Sequence, residues 1–163
     1  MELTFGPRNT LRIDDARIMY PNFEGRGDKF NREGDRNFLL IIPTEEMAQA
    51  LTERGWNVRI KDRRDEGGDL YMTLKVKVKF NDRGPIVFLN TNGKATRLDE
   101  ESIGCLDHIE IEQIDMDIRP YDWELPSGSS GRTAYLQGMD VMQRLDRFAA
   151  RYANYENEEP LDF

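Results

Sequence analysis

The chain has 163 residues, 38% of them hydrophobic and 33% charged, with 23 bases against 31 acids for a net charge of -8. That size and balance suit one soluble domain with a sizeable core, and no apolar run approaches the roughly 18 residues of a membrane-spanning helix. Cys105 is the only cysteine, which excludes an internal disulfide, and the opening MELTFGPRNT lacks a signal-peptide layout, so the cytoplasm is the expected compartment.

Residues 10–20 read as the first strand. Leu11 and Ile13 stand in one phase and Ala16, Ile18 and Tyr20 in the other, so a bulge or bend is expected at Asp14 and Asp15. Pro21 closes the strand and opens a long polar connection, PNFEGRGDKFNREGD, in which Phe23 and Phe30 are interleaved with Arg26, Lys29 and Arg32, with Arg36 following. Connections this long without periodicity are usually functional or disordered. Rings among bases favour function, the other reading being that the two phenylalanines plug the core. Asn37 to Ile42 is a nearly continuous apolar run, a strand buried on both faces and stopped by Pro43. Thr44 then suits the N-cap of a helix, EEMAQALTER. Glu45 and Glu46 lie at its positive end, Met47 and Leu51 sit one turn apart facing inward, and Gly55 is its stop.

WNVRIK follows as a strand with Trp56, Val58 and Ile60 facing in and Asn57, Arg59 and Lys61 facing out. DRRDEGGD makes a turn that joins it as a hairpin to residues 70–80, LYMTLKVKVKF, which alternate without a slip. Leu70, Met72, Leu74, Val76, Val78 and Phe80 take one face, and Tyr71, Thr73, Lys75, Lys77 and Lys79 the other. At about 3.3 Å per residue the lysines stand about 6.6 Å apart, a cationic rail with a ring at its head. NDRGP is a turn, IVFLN a short buried strand and NTNGK a second tight turn. Leu98 to Leu106 reads as a helical turn capped by Asp99, and Ile109 to Ile118 as a strand bulged near Gln113. RPYDWELPSGSSGR reads as a loop, Arg132 to Met142 as the last long strand, and Leu145, Phe148 and Tyr152 as one face of a closing helix. Six to eight strands and two or three short helices describe a mainly β chain. The best-fitting small architecture is an antiparallel barrel of the oligonucleotide-binding type, with a helix between strands.

Enzymatic readings find little support. Cys105 and His108 form a CLDH pair, yet a metal site would lack further Cys or His ligands, and an isolated Cys behaves as a small hydrophobe. Glu110, Glu112, Asp115 and Asp117 could hold the magnesium of a nuclease or junction resolvase, although acids opposite a core face are ordinarily solvated. GRG at 25–27 lacks the strand and helix of a phosphate-cradling loop. No catalytic residue, metal or cofactor is therefore assigned.

Binding of single-stranded nucleic acid accounts for more of the sequence at once, because such a site needs cations along the backbone path and rings under the bases. Residues 57–83 hold eight bases against five acids, a local +3 inside an acidic chain. Lys75, Lys77, Lys79, Arg59 and Lys61 supply a basic sheet face and Tyr71 a ring on it. Phe23, Arg26, Lys29, Phe30, Arg32 and Arg36 supply a loop able to close over that face. The competing explanation for a lysine row is protection of an edge strand. The last ten residues, NYENEEPLDF, hold four acids and no base and read as a disordered acidic tail at 154–163, following a domain at 1–153.

The chain resembles single-stranded DNA-binding proteins of tailed phages in FNREGDRNF at 30–38, GWNVR at 55–59, the LKVKVKF rail, LDEESIG at 98–104, PYDWE at 120–124 and the acidic tail ending in Phe163. The resemblance implies an oligonucleotide-binding barrel that coats and protects single strands in phage DNA replication, recombination or repair in the host cytoplasm. It also implies a tail that recruits polymerase, helicase or other replication proteins, a role falling on Glu156, Glu158, Glu159, Asp162 and Phe163. The tail is shorter and less acidic than many. A polyanionic tail would also compete with DNA for the basic face. No membrane partner is expected, and a homodimer is compatible with the chain. A phage structural or regulatory protein whose long loop contacts protein is the remaining alternative.

Overall fold

The computed structural model describes residues 1–62 and 70–145, and within these ten strands form one sheet. They are β1 (Glu2–Phe5), β2 (Leu11–Asp14), β3 (Ile18–Asn22), β4 (Arg36–Ile42), β5 (Arg59–Asp62), β6 (Leu70–Val78), β7 (Ile86–Thr91), β8 (Lys94–Leu98), β9 (Ile111–Glu124) and β10 (Ser130–Gln143). The helix α1 (Glu45–Glu53) lies between β4 and β5, and short 3-10 turns occupy Pro7–Asn9 and Ile103–Asp107. This is the expected mainly β, oligonucleotide-binding type of architecture, with more strands than anticipated. Among the described residues no helix is long and apolar enough to cross a membrane.

The sheet runs β1-β2-β9-β10-β6-β4-β3, with β5 added to β6 and the β7–β8 hairpin added to β10. Most neighbours are antiparallel, as expected. The exceptions are β6 and β7, which both pair with β10 in parallel. Those two pairings join segments far apart in sequence, which no local pattern announces. Inner faces of β2, β4, β6, β9 and β10 close over one core that includes Ile13, Phe38, Leu40, Val76, Ile118, Leu136 and Val141.

The expected first strand is two strands. Asp15 takes a left-handed backbone (φ 54°) after β2, and its N–H donates to Asp115 Oδ1 at 2.9 Å, so the chain turns away to pair β3 with β4. The bulge expected near Gln113 is present, because Glu112 is skipped between the pairs Gln113–Met142 and Ile111–Gln143. The segment expected as a loop, RPYDWELPSGSSGR, is mostly strand. Arg119 to Glu124 pair with Ser130 to Tyr135, leaving only residues 125–129 as the turn. Pro120 and the Ser/Gly-rich end mask that alternation in sequence.

α1 forms where its caps place it. Thr44 Oγ1 accepts from the Met47 N–H at 3.2 Å, Glu45 and Glu46 occupy the first turn, Leu51 and Ala48 are buried, and Gly55 leaves the helix at φ 93°. Trp56 is buried as expected, whereas Ile60 is 63% exposed. Its strand β5 lies at a margin of the sheet, where among the described residues it pairs with β6 alone. Asn92 and Gly93, both at positive φ, turn β7 into β8, a strand not anticipated because all but its last residue are exposed. The turn at 63–69, the closing-helix residues Phe148 and Tyr152, and the acidic tail lie outside the described residues.

Candidate nucleic-acid interface

The alternation of β6 decides the face. Leu74, Val76 and Val78 are buried in the core, while Lys75, Lys77 and Lys79 are exposed on the outside, Lys79 just beyond the strand end. The rail is not an edge strand. β4 flanks one side of β6, and β5 and β10 flank the other, so protection of an open edge does not explain the lysines.

Register shows what shares the outer face, since directly paired residues project to the same side. Arg59 stands opposite Thr73 and Lys61 opposite Tyr71, which extends the basic face as expected. On the other flank Asn37 lies opposite Lys77 and Leu39 opposite Lys75. Tyr135 of β10 is the parallel partner of Lys77, and Arg119 of β9 is the partner of Tyr135, its guanidinium carbon 5.0 Å from that ring's centroid. Five adjacent strands therefore carry Asn22, Asn37, Lys77, Tyr135 and Arg119 side by side across the sheet.

Two outer grooves run along this face and meet at Lys75. One, of about 470 Å³, is lined by Phe30, Arg32, Arg36, Lys75, Lys77, Lys79 and Tyr135. The other, of about 310 Å³, is lined by Tyr20, Phe30, Arg59, Lys61, Thr73 and Lys75. Phe30 borders both and is 94% exposed, an apolar ring in water above a line of ammonium groups.

The loop carrying Phe30 is already folded. Asn31 Nδ2 donates to the carbonyls of Arg26 and Asp35 at 2.8 and 2.9 Å, and Asn37 Nδ2 donates to Asn31 Oδ1 at 2.9 Å, tying the loop to β4. The Gly34 N–H donates to the Gly25 carbonyl at 2.7 Å, and Gly25 sits at φ 72° with the Gly34 backbone 3.1 Å from where a Cβ would stand, so any side chain there would be strained. Phe23 is corrected by the structure. It is fully buried with its centroid 5.5 Å from that of Phe38, and Asp107 anchors it by accepting from the Phe23 and Glu24 N–H groups at 2.9 Å each. It is a core plug and cannot stack a base.

Other assigned residues divide. Arg36 lines the groove but is paired with Glu100 at 3.3 Å, with only 16% of its side chain exposed. Arg26 leans on Glu24 at 3.6 Å, and neither it nor Lys29 lines either groove. Tyr71 is half-buried beside Lys61 at the head of the rail. The sequence reading missed Tyr135 and Tyr20. Thr133 and Tyr135 alternating with buried Ala134 and Leu136 was the available signal for the first, and Tyr20, 69% exposed at φ 49°, was read only as part of the first strand's second phase with Ala16 and Ile18.

The acids of the alternative reading lie elsewhere. Asp115 accepts the Asp15 N–H, Asp117 faces Arg12 at 3.8 Å, and Glu110 and Glu112 are exposed. Among the described residues no group of His, Cys, Asp and Glu is arranged to hold a metal. Burial pushes the Cys105 thiol up, opposite to what a nucleophile needs, and His108 pairs with Glu24.

Comparison with known proteins fits this geometry. Residues 3–161 match the family described as "Putative phage ssDNA-binding domain", and the chain belongs to that family. Its fold is similar to that of the single-stranded DNA-binding protein from bacteriophage Enc34. A C-terminally truncated form of that protein gives a TM-score of 0.51 at 15% identity, covering 88% of this chain and 91% of the other. Its complex with ssDNA gives 0.51 at 17% identity, covering 88% and 90%. No curated protein matches the chain.

Proposed function

We propose that this chain binds single-stranded DNA without sequence preference, as a non-enzymatic protein that coats and protects single strands during phage DNA replication and recombination. Phosphates follow Arg59, Lys61, Lys75, Lys77 and Lys79, and bases stack on Phe30 and Tyr135. The observation that carries this reading is the pair of grooves meeting at Lys75, lined by cations and rimmed by rings, on the outer face of a domain whose family is described as a phage ssDNA-binding domain. Cations tracking a backbone with rings beneath the bases are what sequence-tolerant single-strand binding requires. The acidic residues Glu156, Glu158, Glu159 and Asp162, with Phe163, recruit replication proteins, a role supported by their composition and by the family resemblance.

The test is a salt titration of fluorescent oligo-dT, with duplex DNA and RNA of equal length beside it. Five or six neutralised phosphates give a slope of about -4 in log affinity against log salt, at roughly -0.7 per contact. A flat salt dependence, or equal affinity for duplex, overturns the proposal.

A further inference from the structure

The geometry points to a second base-stacking platform on the hairpin arm formed by residues 119–124 and 130–135, built on Tyr121 and Trp123. It rests on the single-strand reading above and extends the track beyond the lysine rail. Tyr121 pairs with Thr133 and Trp123 with Gly131, in the same phase as the Arg119–Tyr135 pair, so both rings project on the face that carries Lys77. They are exposed, Tyr121 by 54% and Trp123 by 37%, which is unusual for two large rings on one short arm. Tyr121 stands edge-on to Tyr135 with centroids 6.2 Å apart, so the groove ring is continued without a gap. Successive rings on one strand face are about 6.7 Å apart.

Charge is sorted to match. The arm's acids, Asp122 and Glu124, belong to the opposite phase, while the ring face carries Arg119 as its one charged residue. The arm is also held in place. Asp122 accepts from Arg132 Nε at 2.6 Å, Arg132 Nη1 donates to the Arg54 carbonyl at 2.5 Å, and the guanidinium lies 5.1 Å from the Trp56 ring centroid. The missing side chain at Gly131 lets the Trp123 indole lie against the backbone, since any Cβ there would run into it. A ring fixed in this way loses little conformational freedom when a base stacks on it.

Trp56 is buried, so Trp123 is the tryptophan whose fluorescence can report on a ligand. Titrating the full chain with oligo-dT of about 6 and about 16 nucleotides, within the range one such fold covers, gives the test. Quenching by the longer oligonucleotide is expected, lost in Trp123→Phe of unchanged thermal stability. Tyr121→Leu should weaken the longer oligonucleotide at least fivefold while leaving the shorter within twofold, as loss of one stacked base requires. Salt-dependent binding of both lengths with no quenching, and no effect of Tyr121→Leu, overturns the arm platform and leaves the rail intact. No binding of either length overturns both.

Discussion

Lys77 and Tyr135 are register partners across the parallel pairing of β6 and β10, so an ammonium group and a phenol ring from distant parts of the chain stand side by side on one outer face. Neither the lysine row nor the tyrosine alone defines a track. Together they set a charge beside a ring, the pairing that the proposed single-strand track uses.

In the proposed site the rail supplies the electrostatic part. Replacing Lys75, Lys77 and Lys79 together by Gln should weaken binding to all single-stranded sequences alike and make the salt slope shallower by about 2, at roughly 0.7 per phosphate contact. Thermal stability should change little, because all three side chains are exposed. An unchanged slope, measured by anisotropy at several salt concentrations, would put the strand elsewhere.

Phe23 and Phe30 come from one loop and should behave oppositely. Phe23→Ala empties a fully buried position against Phe38 and should cost about 3–5 kcal/mol of stability in a urea titration. Phe30→Ala removes a ring 94% exposed, so stability should stay within about 0.5 kcal/mol. Its loss should appear instead in oligonucleotide affinity, by about 1–3 kcal/mol if a base stacks there.

Hydrogen bonding from Arg132 holds the Asp122 carboxyl below the usual carboxylate range. A group whose folded value is depressed contributes stability above its unfolded value and loses it as pH falls through the folded one. Unfolding midpoints should therefore drop below about pH 4, and Asp122→Asn should flatten that drop. Asp122 is largely exposed, so the effect should not exceed about 1 kcal/mol.

Deleting residues 154–163 removes four acids and no base. If this segment competes with DNA for the basic face, the truncated chain should bind oligo-dT more tightly at low salt, and the difference should vanish as salt screens it. Unchanged or weaker affinity at low salt would count against competition. If the tail recruits replication proteins, their capture on immobilised protein should be lost with the same deletion.

Where a signal was local, the sequence carried it. Thr44, Glu45 and Gly55 announce α1, the uninterrupted alternation around Lys75 announces β6 and its two faces, and Asn92 with Gly93 announces the β7–β8 turn. Two phenylalanines flanked by the same bases could not be told apart, because the fate of Phe23 is decided by Phe38 and Asp107, both outside its loop. The arm was illegible for a related reason. Pro120 and the Ser/Gly cluster argue for a loop, and only the partner strand shows that Tyr121 and Trp123 alternate with Asp122 on a paired ribbon. Tyr135 escaped notice because its neighbour Lys77 reaches it through a parallel pairing that closes only in the folded sheet.

That pairing bears on how the protein is made. β6 needs β10 to complete its flank, and β10 leaves the ribosome long after the lysines have been synthesised. Sheet closure between such distant segments is slow relative to local hairpins. A nascent chain ending before Ser130 exposes its lysines without Tyr135 beside them or Trp123 locked against Gly131. If the proposed site is the binding site, competence should therefore arrive late and abruptly, with the final strand.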